Sequence, residues 1–279
     1  MGKLGLVAGG GRLPAEIAEH CEAVGRPFFL VRLRGFADPG LARFPGADVG
    51  LAELGKCIRT LRREGCESVC MAGIVDRPDF AALKPDLRGL AALPGAIAAA
   101  GKGDDALLRF LVGEFEKEGF RVEGAHEAAG DLSLDAGLLG RHGPSKSDLA
   151  DVDQALEIAR AMGRLDVGQG AVVCRGLTLA VEAQEGTARM LARVADLPAE
   201  LRGSQTRRAG VLAKAPKPIQ ERRVDLPTIG PDTIRAAAEA GLSGIAGEAG
   251  WLLVLERDQV RDLADRLGLF VLGVEHQDP

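Results

Sequence analysis

Leu4-Gly-Leu-Val-Ala-Gly-Gly-Gly-Arg-Leu-Pro14 is the stretch that decides the fold. Its first part, Leu4–Ala8, is a short apolar run that reads as a buried strand. Three glycines follow, and Pro14 opens a helical pattern that continues to about residue 24. Proline suits the first helical turn, where its missing N–H breaks no helical bond. Strand, glycine turn and helix form the unit from which open parallel sheets are built. In such sheets the turn is the place where backbone N–H groups and a helix N-terminus meet an anion.

The same alternation continues outward from this unit. Segments 27–31 and 47–51 read as strands, and 56–64 as a helix that Gly65 ends. Ser68–Ala72 reads as a buried strand closed by Gly73, and 104–118 as a helix with Leu107, Leu108, Leu111, Val112 and Phe115 on one face. A further strand is expected at 120–123. Short apolar strands alternating with helices predict a parallel sheet with helices on both faces. Gly130, Gly137, Gly140, Gly143 and Pro144 then break the periodicity. Beyond them comes a second α/β set: a helix over 148–162 capped by Ser147 or Asp148, and a hairpin over 170–183 turning at Arg175-Gly176. Strands follow at 210–214 (leading into Pro216 and Pro218), 243–246, 252–256 and 269–274, with helices at 187–194, 232–240 and 258–267. The expected division is a parallel-sheet domain over 1–130, a connection over 131–146 and a second α/β domain over 147–279.

Composition narrows the functional classes. The 279 residues carry a net charge of −5, which argues against a nucleic-acid binder. No Tyr and a single Trp remove the usual base-stacking platforms. No apolar run reaches the ~18–20 residues of a membrane span, and the start lacks the long apolar core of a signal peptide. Five cysteines without CxxC spacing fit free thiols in a reducing cytosol. Glycine is in excess, with 38 residues, twice the usual ~7%.

The candidate site residues fall at strand ends and helix starts. Gly10, Gly11 and Arg12 occupy the first turn. Gly9-x-Gly11 matches half of the dinucleotide fingerprint, but Pro14 stands in place of its third glycine. Arg32 and Arg34 stand where an acidic ribose partner is expected, so an NADP-dependent oxidoreductase is one alternative. Gly73 opens the 72–78 loop at a strand end, where ligand crevices form. Asp104 and Asp105 begin a helix, as caps or as ligand groups. Residues 189–223 carry nine basic and three acidic residues, a local +6 against −11 elsewhere, which suits an anionic ligand. For Arg202–Arg208 a solvated basic face is the simpler expectation. Glu182, Gln184, Gly186 and Thr187 lead from a strand into a helix near Lys214 and Lys217, a reasonable phosphate site. Asp225, after Arg222 and Arg223, sits in a loop stiffened by Pro227, Gly230 and Pro231, poised to bind Mg²⁺ or act as a base. Glu248 is bracketed by Gly247 and Gly250. His20 reads as structural, His126 and His142 as surface or cleft residues, and His276 lies in the tail. No nucleophilic triad emerges.

Taken in order, residues 5–14, 182–187, 214–217, 223–231 and 244–250 resemble the LpxI-type UDP-2,3-diacylglucosamine pyrophosphatases of lipid A biosynthesis. Each piece alone is weak, but together they span the chain. The resemblance implies a Rossmann-like N-terminal domain and a C-terminal catalytic domain with substrate held between them. It implies Mg²⁺-dependent hydrolysis to UMP and 2,3-diacylglucosamine 1-phosphate by attack at the sugar-side phosphorus. Asp225 matches the aspartate on which activity depends. The partner implied is a lipid-linked UDP-sugar, handled in the cytoplasm, with a peripheral contact at the inner face of the inner membrane and a homodimer both left open. Two acyl chains need an apolar wall. The stretch Leu87–Ala100 with the apolar face of 104–115 is the candidate, core packing being the alternative. A non-catalytic nucleotide-sugar sensor is the other functional alternative.

Overall fold

The structure, a computed structural model, describes residues 2–76, 79–217, 221 and 223–275. Arg77, Pro78, Pro218, Arg222 and His276 lie outside the described residues. The chain forms two compact units. The first comprises 1–130 with Glu221–Asp225, and the second comprises 131–220 with 226–279.

The first unit contains strands β1 (Leu4–Ala8), β2 (Phe28–Leu33), β3 (Gly46–Val49), β4 (Ser68–Ala72) and β5 (Arg121–Val122), in the order β3-β2-β1-β4-β5, all parallel. Its helices are α1 (Leu13–Ala23), α2 (Leu54–Arg63), α3 (Leu87–Ala100), α4 (Asp104–Lys117) and α5 (Ala125–Ala128). Every residue of β1 is buried, as a central strand covered on both faces requires. Val7, Val31 and Val69 pack with Ile58 and Leu61 of α2 and with Val112 and Phe115 of α4. A buried ion pair ties this unit together: Arg26 donates to both Glu123 carboxylate oxygens at 2.9 and 3.0 Å and to the Ser68 hydroxyl at 3.2 Å.

The second unit contains β6 (Gly137–Leu138), β7 (Gly170–Cys174), β8 (Leu177–Val181), β9 (Val211–Lys214), β10 (Thr228–Ile229), β11 (Gly244–Glu248), β12 (Leu253–Val254) and β13 (Phe270–Val274). Its helices are α6 (Lys146–Arg164), α7 (Gly186–Ala195), α8 (Pro231–Glu239) and α9 (Arg257–Leu267). The six-stranded sheet runs β6-β13-β11-β9-β7-β8, and β9, β11 and β13 are its parallel part. Alternate residues choose opposite layers. Ala171, Val173, Val211 and Ala213 meet Val152, Ala155, Leu156 and Ala159 of α6. Val172, Leu212 and Ile245 meet α7, α8 and α9 through Leu191, Ile234 and Val260.

Residues 131–146, read from the sequence as a connection, fall within the second unit, where β6 pairs antiparallel with β13. The cap of α6 is Ser145 rather than Ser147 or Asp148. Its hydroxyl accepts from the Asp148 N–H while Asp148 bonds back to the Ser145 N–H, so Asp148 is the far member of a capping box. All five cysteines are free and buried. Burial pushes the Cys57 and Cys70 thiols up to about 12, which leaves them poor nucleophiles. Among the described residues no helix is long and apolar enough to cross a membrane.

Candidate functional site

Strand order places a topological switch between β1 and β4, so the loops after these two strands meet at one edge of the first sheet. They are locked together. The Gly9 N–H donates to Ala72 O, and Gly10 and Ile74 exchange N–H···O bonds, all at 2.8 Å. Gly73 has φ +96°, and a Cβ there would lie 2.6 Å from Gly10 O, so only glycine permits the crossing. Two amides that a nucleotide loop would offer are therefore spent within the protein. What stays at this edge is the start of α1, which has no side-chain cap at Arg12. The Arg12 side chain is half exposed and pairs with Glu16 and Glu19. Arg32 pairs with Asp48 at 2.7 Å and Arg34 with Glu53 at 2.8 Å, so neither is held ready for a 2′-phosphate.

The same unit holds the Asp225 segment. Asp104 is exposed in the first turn of α4. Its neighbour Asp105 has the structural task, accepting the Glu221 N–H at 2.7 Å. Arg223 grips Glu221 through two nitrogens at 2.8 and 3.0 Å and Glu116 at 2.7 Å. Hydrogen bonds donated to the Glu221 and Glu116 carboxylates hold the Arg223 guanidinium firmly charged, and Arg223 in turn lowers the Glu221 pKa. Val224 packs on the first unit's core. Gly124 makes room: a Cβ there would sit 3.2 Å from Arg223 Cα and 2.5 Å from the His126 ring. Burial lowers the His126 pKa, which favours the neutral imidazole. Asp225 ends this fixed segment as a half-buried carboxylate.

In the second unit the carboxyl ends of β9 and β11 share an edge with the start of β7, where Gly170 and Gly247 flank Lys214 in register. Lys214 is 3% exposed and Glu182 is 7% exposed. Lys214 Nζ donates to the Thr187 hydroxyl at 2.8 Å and to Thr228 O at 3.3 Å. The Thr187 hydroxyl donates to Glu182 Oε1 at 2.6 Å. Glu182 Oε2 lies 3.7 Å from Lys214 Nζ, with no hydrogen bond of its own among the described residues. The group forms because β8 delivers Glu182, α7 delivers Thr187 in its first turn, and β9 ends on Lys214. A side chain at position 170 would crowd it, since a Cβ there would be 2.6 Å from Glu182 Oε2. Gly186, with φ +77°, starts α7, whose N-terminus has no side-chain cap. A buried cation beside uncapped helix amides is a place for a phosphoryl oxygen.

Other sequence candidates stand apart from this trio. Lys217 pairs with Asp166 at 2.7 Å. Glu248, at the end of β11 and 2% exposed, accepts from Arg160 Nε of α6 at 2.6 Å. Gln184 is exposed. Arg202 and Arg208 do not form a solvated face: Arg202 donates to Leu197 O and Ala240 O, and Arg208 to Ala238 O and Leu267 O, where helices α8 and α9 end. Sequence reading named Asp105 only as a cap or ligand group and gave no role to Glu116, Glu221, Arg160 or Asp166. Their roles depend on partners far along the chain, and no local pattern marks them. Of the candidate acyl wall, Val112 and Phe115 belong to the core, whereas Leu87, Leu90 and Ile97 face solvent.

Residues 3–132 match the LpxI N-terminal domain model and residues 135–272 the LpxI C-terminal domain model. The chain is 65% identical over 278 residues to the UDP-2,3-diacylglucosamine pyrophosphatase LpxI of Caulobacter vibrioides, covering 100% of this chain and 99% of that protein. Among solved structures, the CobK precorrin-6A reductase aligns over 100% of this chain and 89% of its own, at 14% identity and a TM-score of 0.35, too remote to support any inference. Two domain models in sequence and a full-length relative agree, and the chain belongs to the LpxI family.

Proposed function

We propose that this chain hydrolyses the pyrophosphate bond of UDP-2,3-diacylglucosamine, giving UMP and 2,3-diacylglucosamine 1-phosphate in the cytoplasmic part of lipid A biosynthesis. The observation that carries this reading is full-length identity of 65% with a relative named for that activity. The geometry agrees with it: a buried lysine at a sheet edge, uncapped helix starts and a half-buried aspartate beside the anchored Glu221 and Arg223 are parts that suit phosphoanhydride cleavage.

The residues take the following roles. Lys214 neutralises charge that develops on the bridging and terminal oxygens. Thr187 and Glu182 hold its ammonium in place, so they act as positioning groups. The α7 start at Gly186, with Gln184 beside it, binds phosphate oxygens. Asp225 orients the attacking water or accepts its proton. Arg223 fixes the Asp225 segment through Glu221 and Glu116. Gly10, Gly11, Arg12, Gly73 and Asp104 border the nucleotide, Glu248 with Arg160 shapes the second edge, and Lys217 adds positive field from behind Asp166.

Mg²⁺ fits this donor set in one way only. No group of three His, Cys, Asp or Glu residues gathers among the described residues, so an all-protein cage is not built. Mg²⁺ commonly binds one or two carboxylates and takes its other ligands from water and substrate phosphates, and half-buried Asp225 suits that mode. When bound, Mg²⁺ would neutralise pyrophosphate charge and acidify water.

The test is to incubate the purified protein with UDP-2,3-diacylglucosamine, Mg²⁺ and H₂¹⁸O. EDTA-sensitive UMP release, with ¹⁸O in the lipid phosphate, is expected. Binding without UMP release would make the chain a sensor, and label in UMP would move the attack to the uridine-side phosphorus.

A further inference from the structure

Helix α3 is built inside out. A surface helix ordinarily turns apolar residues inward and polar ones to water. In α3 the inward side is made of small residues. A Cβ on Gly89 would lie 1.9 Å from Ala52 O, and one on Gly95 would lie 2.7 Å from the Phe110 ring of α4. The outward side carries the large ones: Leu87 is 90% exposed, Leu90 58% and Ile97 47%, with Ala91, Pro94 and Ala98 also exposed between them. At 3.6 residues per turn these six positions span about 120° of arc. No charged side chain interrupts that arc. The helix's one cation, Arg88, turns aside to Glu114 at 3.4 Å and Glu118 at 2.6 Å on α4.

Such a patch on the surface marks a docking face. Its rim says what docks there. Exposed Lys84 and Lys102 stand at the two ends of the helix. Between Asp86 and Asp104 the sequence has no acidic residue, and Asp86 is turned inward, accepting N–H bonds from Gly55, Lys56 and Gly89. Exposed Asp104 lies just past Lys102. An apolar face with lysines at its ends is the pattern of a helix lying in the headgroup layer of an anionic bilayer.

The geometry points to the outward face of α3 as a peripheral docking surface for an anionic lipid bilayer, where Leu87, Leu90 and Ile97 enter the acyl boundary and Lys84 and Lys102 meet headgroup phosphates. The choice of a bilayer as occupant rests on the lipid-substrate reading above, since a diacyl substrate resides in a membrane.

Sedimentation of the full-length protein with vesicles of phosphatidylethanolamine and phosphatidylglycerol, without substrate, tests this. Wild type is expected to pellet with these vesicles and to bind pure phosphatidylcholine vesicles more weakly. L87E/L90E is expected to lose about tenfold or more in partitioning, and K84Q/K102Q a few-fold. Circular dichroism checks the fold, and the milder L87S/L90S repeats the test at the same positions. In L87W, where Trp251 is the one other tryptophan, the emission is expected to shift to the blue on adding vesicles. The proposal is overturned if wild type stays in the supernatant, or if the leucine variants bind like wild type. It is overturned equally if light scattering without vesicles shows a dimer that the leucine variants dissociate, because a second copy would then cover the face. UMP release by wild type in detergent micelles reads the hydrolase proposal separately, so failure of one reading leaves the other standing.

Discussion

The two sheet edges that carry candidate site residues, one in each unit, are made of different materials. In the first unit the edge is backbone: Gly9, Gly10 and Ile74 bond to one another, Gly73 lets the loops cross, and the nearby arginines are paired with acids at the surface. In the second unit the edge is buried charge, with Lys214, Glu182 and Glu248 each below a tenth exposed and each held by a named partner. The first construction sets shape and accepts almost no substitution at its glycines, yet it stores little electrostatic energy. The second holds a strong field in a low dielectric, where the same charges act more strongly than in water. The proposed function accordingly assigns the nucleotide end to the first edge and charge neutralisation to the second.

Substitutions that exchange or remove these materials test the contrast. Lys214→Met has the largest expected effect. It leaves the buried Glu182 carboxylate without its cation, and loss of one partner of a buried pair costs about 3–5 kcal/mol. Urea unfolding should show it, with turnover lower by at least about 10²-fold. Adding Glu182→Gln should restore most of the stability and none of the activity. Recovery of both would make the lysine structural only.

Gly73→Ala comes next. A Cβ 2.6 Å from Gly10 O at φ +96° forces the crossing apart, at a cost of about 1–3 kcal/mol. Thermal melting should report the loss and the KM for substrate should rise, while kcat changes less than in Lys214→Met. A kcat loss as large as that of Lys214→Met would erase the distinction between the edges.

A smaller effect is expected from acid, at the ion pair of the first unit. Burial works against the charged form of Glu123, but hydrogen bonds from Arg26 and Ser68 outweigh it and hold its pKa below the ordinary 4.5. A depressed carboxylate pKa adds stability that is fully present above 4.5 and disappears as pH falls through the folded-state value. The melting temperature should therefore drop below pH 4.5, and Glu123→Gln should flatten that slope at the expense of lower stability near neutrality. The smallest change is Arg12→Ala. Its side chain is half exposed and pairs only at the surface, so stability should move by less than about 1 kcal/mol, with a few-fold rise in KM as the main readout.

The contrast also explains what could be read from the sequence. The first edge announces itself locally, because strand, three glycines and a proline-led helix are contiguous. The trio of Glu182, Thr187 and Lys214 was legible as polar residues at strand ends and helix starts, and register then closed it across 32 residues of chain from one end to the other. Asp105 was legible as a cap or a ligand group but not as an anchor, since nothing near it foretells that Glu221 would return to its side. Helix α3 escaped for a different reason: its outward face is as apolar as its inward one, so no period of 3.6 appears, and Gly89, Pro94 and Gly95 look like breaks. The short strands β6 and β10 have two residues each, too few to show alternation, whereas β12 falls inside the strand expected at 252–256.

Asp225 carries the central claim, because it is half-buried and follows residues that are tied to the first unit through Glu221 and Arg223. The most direct measurement is single-turnover UMP release by Asp225→Ala at saturating Mg²⁺, with the fold checked by circular dichroism. The account predicts a loss of about 10³-fold or more with the fold intact. Release at the wild-type rate would contradict it.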